Sequence, residues 1–258
     1  EKHIRGIPWS DRIKEYGLEE NLRILHRVAT AVGYVHQEHQ VIHRDLKPAN
    51  VKIDEEYSEV YVVDWGSALH VGHVEDEQHP ALHVSRAKHS RATPAYMSPE
   101  TAVGTSEKCT TSTDVFMLGG VLYEILTGDA PYASAIKGTG DPVLAVVQAA
   151  AVKKHPPLRD NCRYPVIAED LFAIVDRAME YKQEDRYPDA IAFAEALNTY
   201  RKYSEAMRSC ARISRSFQEA SSSDSNEFGA LKRRRAMRMI EIAEQYCGIQ
   251  EMLAGDES

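Results

Sequence analysis

The stretch that decides the fold is HRDLKPAN, residues 43–50. Short apolar runs rich in β-branched residues flank it, VI before and VKI after, and each is typical of a short strand. The eight residues are therefore predicted to form a loop between two strands. That loop carries a carboxylate at Asp45, an amine at Lys47 and an amide at Asn50.

The segments on either side of this loop predict one long helix and one hairpin. After VKI, a polar turn leads to EVYVVD at residues 59–64, which predicts a second strand and a small β-hairpin. Before the loop, apolar residues recur at spacings of three and four over residues 18–36, which predicts an amphipathic helix. The positions that share this spacing are Leu18, Leu22, Leu25, Val28, Val32 and Val35.

The rest of the chain reads as mainly helical. Residues 114–128, DVFMLGGVLYEILTG, are apolar on almost every side and predict a helix at the centre of a helical domain, ending at Gly128. Further helices are predicted in residues 141–154, in residues 168–180 and from Pro188 onward. The polar, histidine-rich residues 70–91 predict a long loop.

The C-terminal part predicts a helical extension. Apolar residues keep a spacing of three or four from Leu197 to Phe217, and a second amphipathic pattern runs from Met237 to Leu253. These patterns are typical of an antiparallel helix pair. We therefore expect two parts, a domain over residues 1–200 and a helical extension over residues 201–258.

The composition narrows the functional classes. With 31 basic and 39 acidic residues the net charge is −8, which argues against a global basic surface for nucleic acid. The longest apolar runs are too short to span a bilayer, and no signal peptide opens the chain. Four scattered cysteines without a CxxC pair argue against a disulfide framework and a zinc site. We expect a cytoplasmic protein with no membrane segment.

Four motifs in a fixed order resemble the catalytic half of the eukaryotic-type (Hanks-type) serine/threonine protein kinases found in bacteria. A lone DxG is usually a hairpin corner, whereas an ordered set is specific. The resemblance covers residues 1 to about 200 and implies the C-terminal lobe of the kinase fold. The motifs are HRDLKPAN at 43–50, DWG at 64–66, SPE at 98–100 and DVF at 114–116.

The resemblance implies a phosphoryl-transfer site that uses ATP and Mg²⁺. Asp45 would accept the proton of the substrate hydroxyl, and Lys47 would contact the γ-phosphate. Asn50 and Asp64 would hold magnesium, which prefers oxygen ligands. Lys47 resembles the residue of the serine/threonine-specific subgroup, and Thr93 matches the residue that packs beside the catalytic carboxylate. The implied partner is a protein with a serine or threonine acceptor.

The resemblance also implies structural residues around this site. Glu100 and Arg186 match a buried ion pair that joins the substrate-side segment to the helical core. Asp114 would brace the backbone of the catalytic loop.

His43 and Arg44 belong to the same structural and regulatory group. An arginine before the catalytic aspartate goes with control by phosphorylation of the activation loop. Ser85 and Ser90 are candidate phosphorylation sites, and ordinary loop serines are an equal alternative.

The sequence departs from the family at three places, one of which is Ala92, where a glycine usually precedes the TPAYM stretch. The 258 residues contain no GxGxxG, and residues 1–6 resemble the hinge between kinase lobes, so we expect the N-terminal lobe to be absent from this chain. Lys52 falls where the family usually places an apolar residue against the adenine ring.

Two functional readings follow. The first is a serine/threonine kinase segment that is weak or inactive without an N-terminal lobe, and the second is a pseudokinase or scaffold that binds without turnover. The helical extension could bind a protein partner in either case. Its basic run at residues 232–235 is read either as a docking element or as a solvated helix end.

Overall fold

The computed structural model of the chain describes residues 6–54, 59–72, 81–86, 92–104, 106–151, 158–164 and 169–223, and also residues 234, 237 and 238. The backbone divides into two compact units, residues 1–198 and 199–258. All four motifs lie in the first unit. The predicted second amphipathic pattern, Met237 to Leu253, falls outside the described residues except at positions 237 and 238.

The first long helix, α1, runs from Leu18 to His39 and confirms the helix predicted before the catalytic loop. Its N-terminus is capped by the Glu20 side chain, which accepts the backbone N–H of Gly17 at 2.7 Å. Its apolar stripe is buried, and its chain direction reverses at Gln40, which has a positive φ of 51°. This reversal leads directly into the strand before the loop.

The central helix, α3, runs from Thr111 to Thr127 and is buried on nearly every side, as its sequence predicts. It ends at Gly128, whose φ of 91° is in the left-handed region that favours glycine. The helix packs against α1 and against α6, which spans Glu169–Ala178. It is therefore the element around which the first unit is built.

Two of the remaining helices in the described residues agree with predicted segments, the one that begins near residue 141 and the one that follows Pro188. Two further helices of a single turn each are not predicted by the sequence. Their bounds are Pro99–Ala102 for α2, Ala133–Ile136 for α4, Pro142–Ala151 for α5 and Ala190–Ser223 for α7.

The β-structure is more extensive than the predicted hairpin. Strands β3 (Val51–Ile53) and β4 (Val60–Val62) form that hairpin, and β1 (Ile7–Pro8) pairs with β3 to complete a three-stranded antiparallel sheet. The run before the loop, β2 (Val41–Ile42), joins a different sheet, where β5 (Leu69–His70) lies between β2 and β6 (Leu82–His83).

The predicted loop at residues 70–91 is therefore wrong where it overlaps β5 and β6. A strand of two residues carries no readable alternation of apolar and polar positions, so the sequence pattern cannot reveal it.

We predict that Gly33→Ala destabilises the first unit. A β-carbon at this position would lie 2.5 Å from Cγ1 and 2.9 Å from the backbone nitrogen of Ile191 in α7, so the helices must shift. The expected loss is about 1–3 kcal/mol in the free energy of unfolding, measured by urea denaturation. Gly140→Ala, where a β-carbon meets no atom within 4 Å, is the matched control. Equal stabilities of the two variants would contradict the prediction.

Candidate active site

The carboxylate of Asp45 lies at the centre of a hydrogen-bonded cluster. Its Oδ1 accepts the backbone N–H of Thr93 at 2.8 Å and the hydroxyl of Thr93 at 2.7 Å. Its Oδ2 accepts from the ammonium of Lys47 at 2.8 Å and from the side-chain amide of Asn50 at 3.0 Å. The Lys47 ammonium also donates to the hydroxyl of Thr93. Four of the residues proposed from the sequence are thus in direct contact.

These contacts keep Asp45 ionised. Burial alone would raise the pKa of this carboxyl, but the hydrogen bonds from Lys47 and Thr93 outweigh burial and hold the pKa below its ordinary value. The side chain of Asp45 remains 13% exposed and that of Lys47 22% exposed. The ionised carboxylate can be reached from solvent, and because each of its oxygens already accepts two hydrogen bonds, a substrate hydroxyl would take the place of one of these donors.

The orientation of Asn50 leaves an oxygen for a cation. Its amide nitrogen donates to the backbone carbonyl of Asp45 at 2.8 Å as well as to the Asp45 carboxylate. Because both donor bonds come from the nitrogen, the amide oxygen is the atom left to bind a metal ion. The side chain is buried, so this orientation is fixed by its neighbours.

Asp64 joins the site through its neighbours in the chain. The backbone N–H of Val63 donates to the carbonyl of Asn50 at 2.9 Å, and the Trp65 ring packs on the His43 ring with centroids 4.6 Å apart. Asp64 itself is exposed and has a positive φ of 62°, uncommon for a residue other than glycine. Its position after β4 is thus held from both sides.

The oxygen donors of Asn50 and Asp64 suit magnesium. Magnesium is usually held by one or two carboxylates together with substrate phosphates, so it needs no larger protein cage. Within the described ranges, no three His, Cys, Asp or Glu side chains converge on a metal position. The residues present fit Mg²⁺ on this chemistry.

Asp114 braces the catalytic loop from inside the core. Its Oδ2 accepts the backbone N–H of His43 at 2.7 Å, and its Oδ1 accepts the backbone N–H of Arg44 at 2.8 Å. Burial would raise the pKa of Asp114, but the hydrogen bond and charge of His36 and the contacts with His43 hold it below its ordinary value. The carboxylate therefore stays ionised in a fully buried position.

His36 is a contributor that the sequence interpretation missed. Its Nε2 lies 2.9 Å from Oδ2 of Asp114, and both side chains are almost completely buried. His36 follows Val32 by four residues, so it lies on the buried stripe of α1. A polar residue on an apolar stripe was the available signal, because buried polar groups need partners.

Glu100 and Arg186 form a bidentate ion pair, with both N–O distances at 2.9 Å. The other donors and acceptors are also used, since Thr113 donates to Glu100 and Arg186 donates to the carbonyls of Ser112 and Glu180. The Arg186 side chain is fully buried. The pair joins the start of α2 to the segment before α7.

A second contact that the sequence interpretation missed joins α3 to the segment of residues 93–100, which includes Thr93 and Glu100. The hydroxyl of Tyr96 donates to Oε2 of Glu124 at 2.6 Å. Burial raises the pKa of Tyr96 and that of Glu124. Glu124 and Asp114 are the charged residues of the otherwise apolar run at 114–128, and that contrast was the available signal.

Of the two candidate phosphorylation sites, the structure describes Ser85 and not Ser90. Ser85 is exposed, and its hydroxyl lies 2.9 Å from Nδ1 of His83, so it is accessible to modification. Ser90 lies outside the described residues.

Over the described ranges, no helix combines the length and apolar character that crossing a bilayer requires.

Comparison with known proteins agrees with this geometry. Residues 8–199 match the protein kinase domain family. The chain is 30% identical over 191 residues to the serine/threonine-protein kinase PknB of Mycobacterium tuberculosis, an alignment that covers 73% of this chain and 28% of PknB. It is 29% identical over 193 residues to the serine/threonine-protein kinase PknD of Chlamydia pneumoniae, covering 70% and 19%.

A further relative has a different printed specificity. The tyrosine-protein kinase MasK of Myxococcus xanthus is 33% identical over 186 residues, covering 69% of this chain and 26% of MasK. The chain thus matches between 19% and 28% of the length of these relatives.

We predict that Arg186→Met lowers the free energy of unfolding by about 3–5 kcal/mol, because it leaves the Glu100 carboxylate buried without its partner. Arg186→Lys should also destabilise, since an ammonium cannot reproduce the bidentate pair. Urea denaturation gives both values. The exposed pair Arg159–Glu169 provides the control, and Arg159→Met should cost about 1 kcal/mol or less. Similar losses at positions 186 and 159 would refute the structural role.

We predict that the stability difference between the wild type and Asp114→Asn depends on pH. A folded-state pKa below the ordinary 3.8 stabilises the protein above that pH, and this contribution is lost as the pH falls through the folded-state value. The penalty of Asp114→Asn should therefore shrink between about pH 5 and pH 2.5, measured by denaturation at each pH. Exposed Asp176→Asn should show little change. A penalty for Asp114→Asn that stays constant over this range would exclude the lowered pKa.

Proposed function

The chain belongs to the protein kinase family, and from that premise we propose that it is the catalytic segment of a serine/threonine protein kinase, which transfers the γ-phosphoryl group of MgATP to protein hydroxyls. The observation that carries the proposal is the ionised Asp45 carboxylate, held by Thr93, Lys47 and Asn50. A hydroxyl beside this carboxylate would be oriented for attack on a phosphoryl group.

In this proposal Asp45 and Lys47 have different roles in the transfer. Asp45 accepts the hydrogen bond of the substrate hydroxyl and takes its proton as the phosphoryl group is transferred. Lys47 already lies between Asp45 and Thr93, and its ammonium supplies positive charge next to the transferred group.

The amide oxygen of Asn50 and the carboxylate of Asp64 would hold Mg²⁺. When bound, the ion neutralises charge on the phosphates. Both residues are anchored independently of it, Asn50 by Asp45 and Asp64 by the backbone contacts of its neighbours. The chain therefore orients the Asn50 amide, and fixes the backbone position of Asp64, before the ion binds.

The acceptor class is part of the proposal. Lys47 supports serine and threonine acceptors, because it resembles the residue of the serine/threonine-specific subgroup and its ammonium lies 2.8 Å from the Asp45 carboxylate. The relatives include kinases named for serine/threonine and one named for tyrosine. Tyrosine is therefore the alternative acceptor.

The lobe assignment is a further part of the proposal. We propose that residues 8–199 act as a C-terminal lobe and need a nucleotide-covering lobe for full activity, because no glycine-rich phosphate loop occurs in the 258 residues. The alternative function is a pseudokinase or scaffold. The hydrogen-bonded cluster at Asp45 favours turnover, since a binding module has no need of an ionised base beside a metal-ligand pair.

We predict that Asp45→Asn lowers phosphoryl transfer by about 10²–10⁴-fold, because the amide cannot accept the proton of the substrate hydroxyl. The measurement is transfer from [γ-³²P]ATP with Mg²⁺ to a serine- and threonine-containing protein. It uses both this chain and the longest natural polypeptide that contains it. Phosphoamino-acid analysis of the product should show phosphoserine or phosphothreonine.

Asp176→Asn, an exposed change on α6, is the matched control and should retain full activity. Undiminished transfer by Asp45→Asn would reject the assigned base. Phosphotyrosine as the main product would reject serine and threonine as the acceptors and would still support a protein kinase. Nucleotide binding without transfer in both wild-type polypeptides would favour the scaffold.

A further inference from the structure

Lys52 is the central residue of β3 in the three-stranded sheet. Its neighbours in β3, Val51 and Ile53, are buried in the core, whereas Lys52 is half-buried. Because successive side chains of a strand point to opposite faces, Lys52 lies on the side away from the core. Its partners across the sheet are Pro8 on β1 and Tyr61 on β4.

Lys52 lies on the same side of the strand as Asn50. The ladder between β3 and β4 pairs Val51 with Val62 and is extended by the hydrogen bond from the N–H of Val63 to the carbonyl of Asn50. Asn50 is the last residue of the 3₁₀ helix Pro48–Asn50 and directly precedes β3, and this hydrogen bond continues the ladder to it. Residues two apart along such an extended segment share a face and are separated by about 6.6 Å. The flexible four-carbon stem of a lysine can span a distance of that order. The ammonium of Lys52 can thus reach the space beside the Asn50 amide.

In the proposed reaction, the ADP part of the nucleotide is expected to lie near the space beside the Asn50 amide. This step rests on the proposed function. The acceptor hydroxyl lies beside Asp45 and Thr93, and the attacking and leaving oxygens of a phosphoryl transfer are roughly in line. In the proposed function Asn50 and Asp64 would hold the Mg²⁺ that neutralises the phosphates, so we expect the leaving diphosphate to lie away from the acceptor, near Asn50 and the face of β3 that carries Lys52.

The negative charge of the leaving diphosphate would be stabilised by a cation on the side of the site away from the acceptor. The Lys47 ammonium is engaged by the Asp45 carboxylate at 2.8 Å and by the Thr93 hydroxyl, which places its charge on the acceptor side. The leaving diphosphate carries its negative charge on the opposite side. We propose that the ammonium of Lys52 binds the α- and β-phosphate oxygens of the nucleotide from the floor of the site.

The test compares ligands that differ only in phosphate. Binding of adenosine, MgADP and MgATP to the ¹⁵N-labelled 258-residue chain is measured by NMR titration at up to millimolar ligand. Lys52→Met removes the charge and keeps an unbranched chain, and Lys52→Arg keeps the charge. Lys52→Met should weaken MgADP and MgATP about tenfold or more and leave adenosine unchanged, since a hydrogen bond to a charged group is lost. Lys52→Arg should retain most of the nucleotide affinity.

Lys182→Met, at an exposed position between α6 and α7, controls for general loss of positive charge. The amide spectrum of each variant verifies its fold. Equal affinities in the wild type and Lys52→Met would overturn the inference. Tighter binding of adenosine and both nucleotides to Lys52→Met would also overturn it, because the lysine would then only disturb the contact with the base. The same titration is made with the longest natural polypeptide that contains the chain, and if that polypeptide does not bind MgADP or MgATP, or binds them independently of Asp64→Asn, the proposed function is rejected instead.

Discussion

The carboxylate of Asp114 accepts the backbone N–H groups of His43 and Arg44 from a fully buried position, and the geometry of the catalytic loop depends on it. Arg44 has a φ of 69°, a left-handed conformation that costs a non-glycine residue about 1–3 kcal/mol. Such a conformation persists only when its surroundings determine it. Two charge-assisted hydrogen bonds to one rigid carboxylate provide that determination, and the turn they hold directs Asp45 outward.

The same turn of α3 fixes the substrate side. Consecutive residues contact both segments: the Ser112 carbonyl accepts from Arg186, the Thr113 hydroxyl donates to Glu100, and Asp114 binds the catalytic loop. A buried ion pair contributes little net stability, but it is costly to disturb. The polar contacts at the start of α3 therefore specify the relative positions of two loops, while the apolar body of the helix supplies the burial that holds them.

The sequence predicted those parts of the fold whose signals are long. Both α1 and α3 were predicted from periodicity, since many residues contribute to each pattern. The second sheet was missed because β2, β5 and β6 are two residues long, and their pairing is set by tertiary contacts that local sequence does not encode. At the site, the resemblance named the residues, but their contacts required coordinates. His36 and Glu124 were missed because each was read as part of an apolar helix, although a polar residue there indicates a buried partner.

The lowered pKa of Asp45 bears on how the cluster can act. A general base is most effective when its pKa is near the working pH, and hydrogen bonds from Lys47 and Thr93 move Asp45 away from that range. Phosphoryl transfer through a loose transition state requires little removal of the proton before the phosphoryl group moves, and depends chiefly on position and charge. A carboxylate with a lowered pKa and four hydrogen bonds would suit that requirement. In the proposed function, the contacts that make Asp45 a weaker base would therefore make it a better orienting group, and the cluster would favour alignment of the acceptor over early proton abstraction.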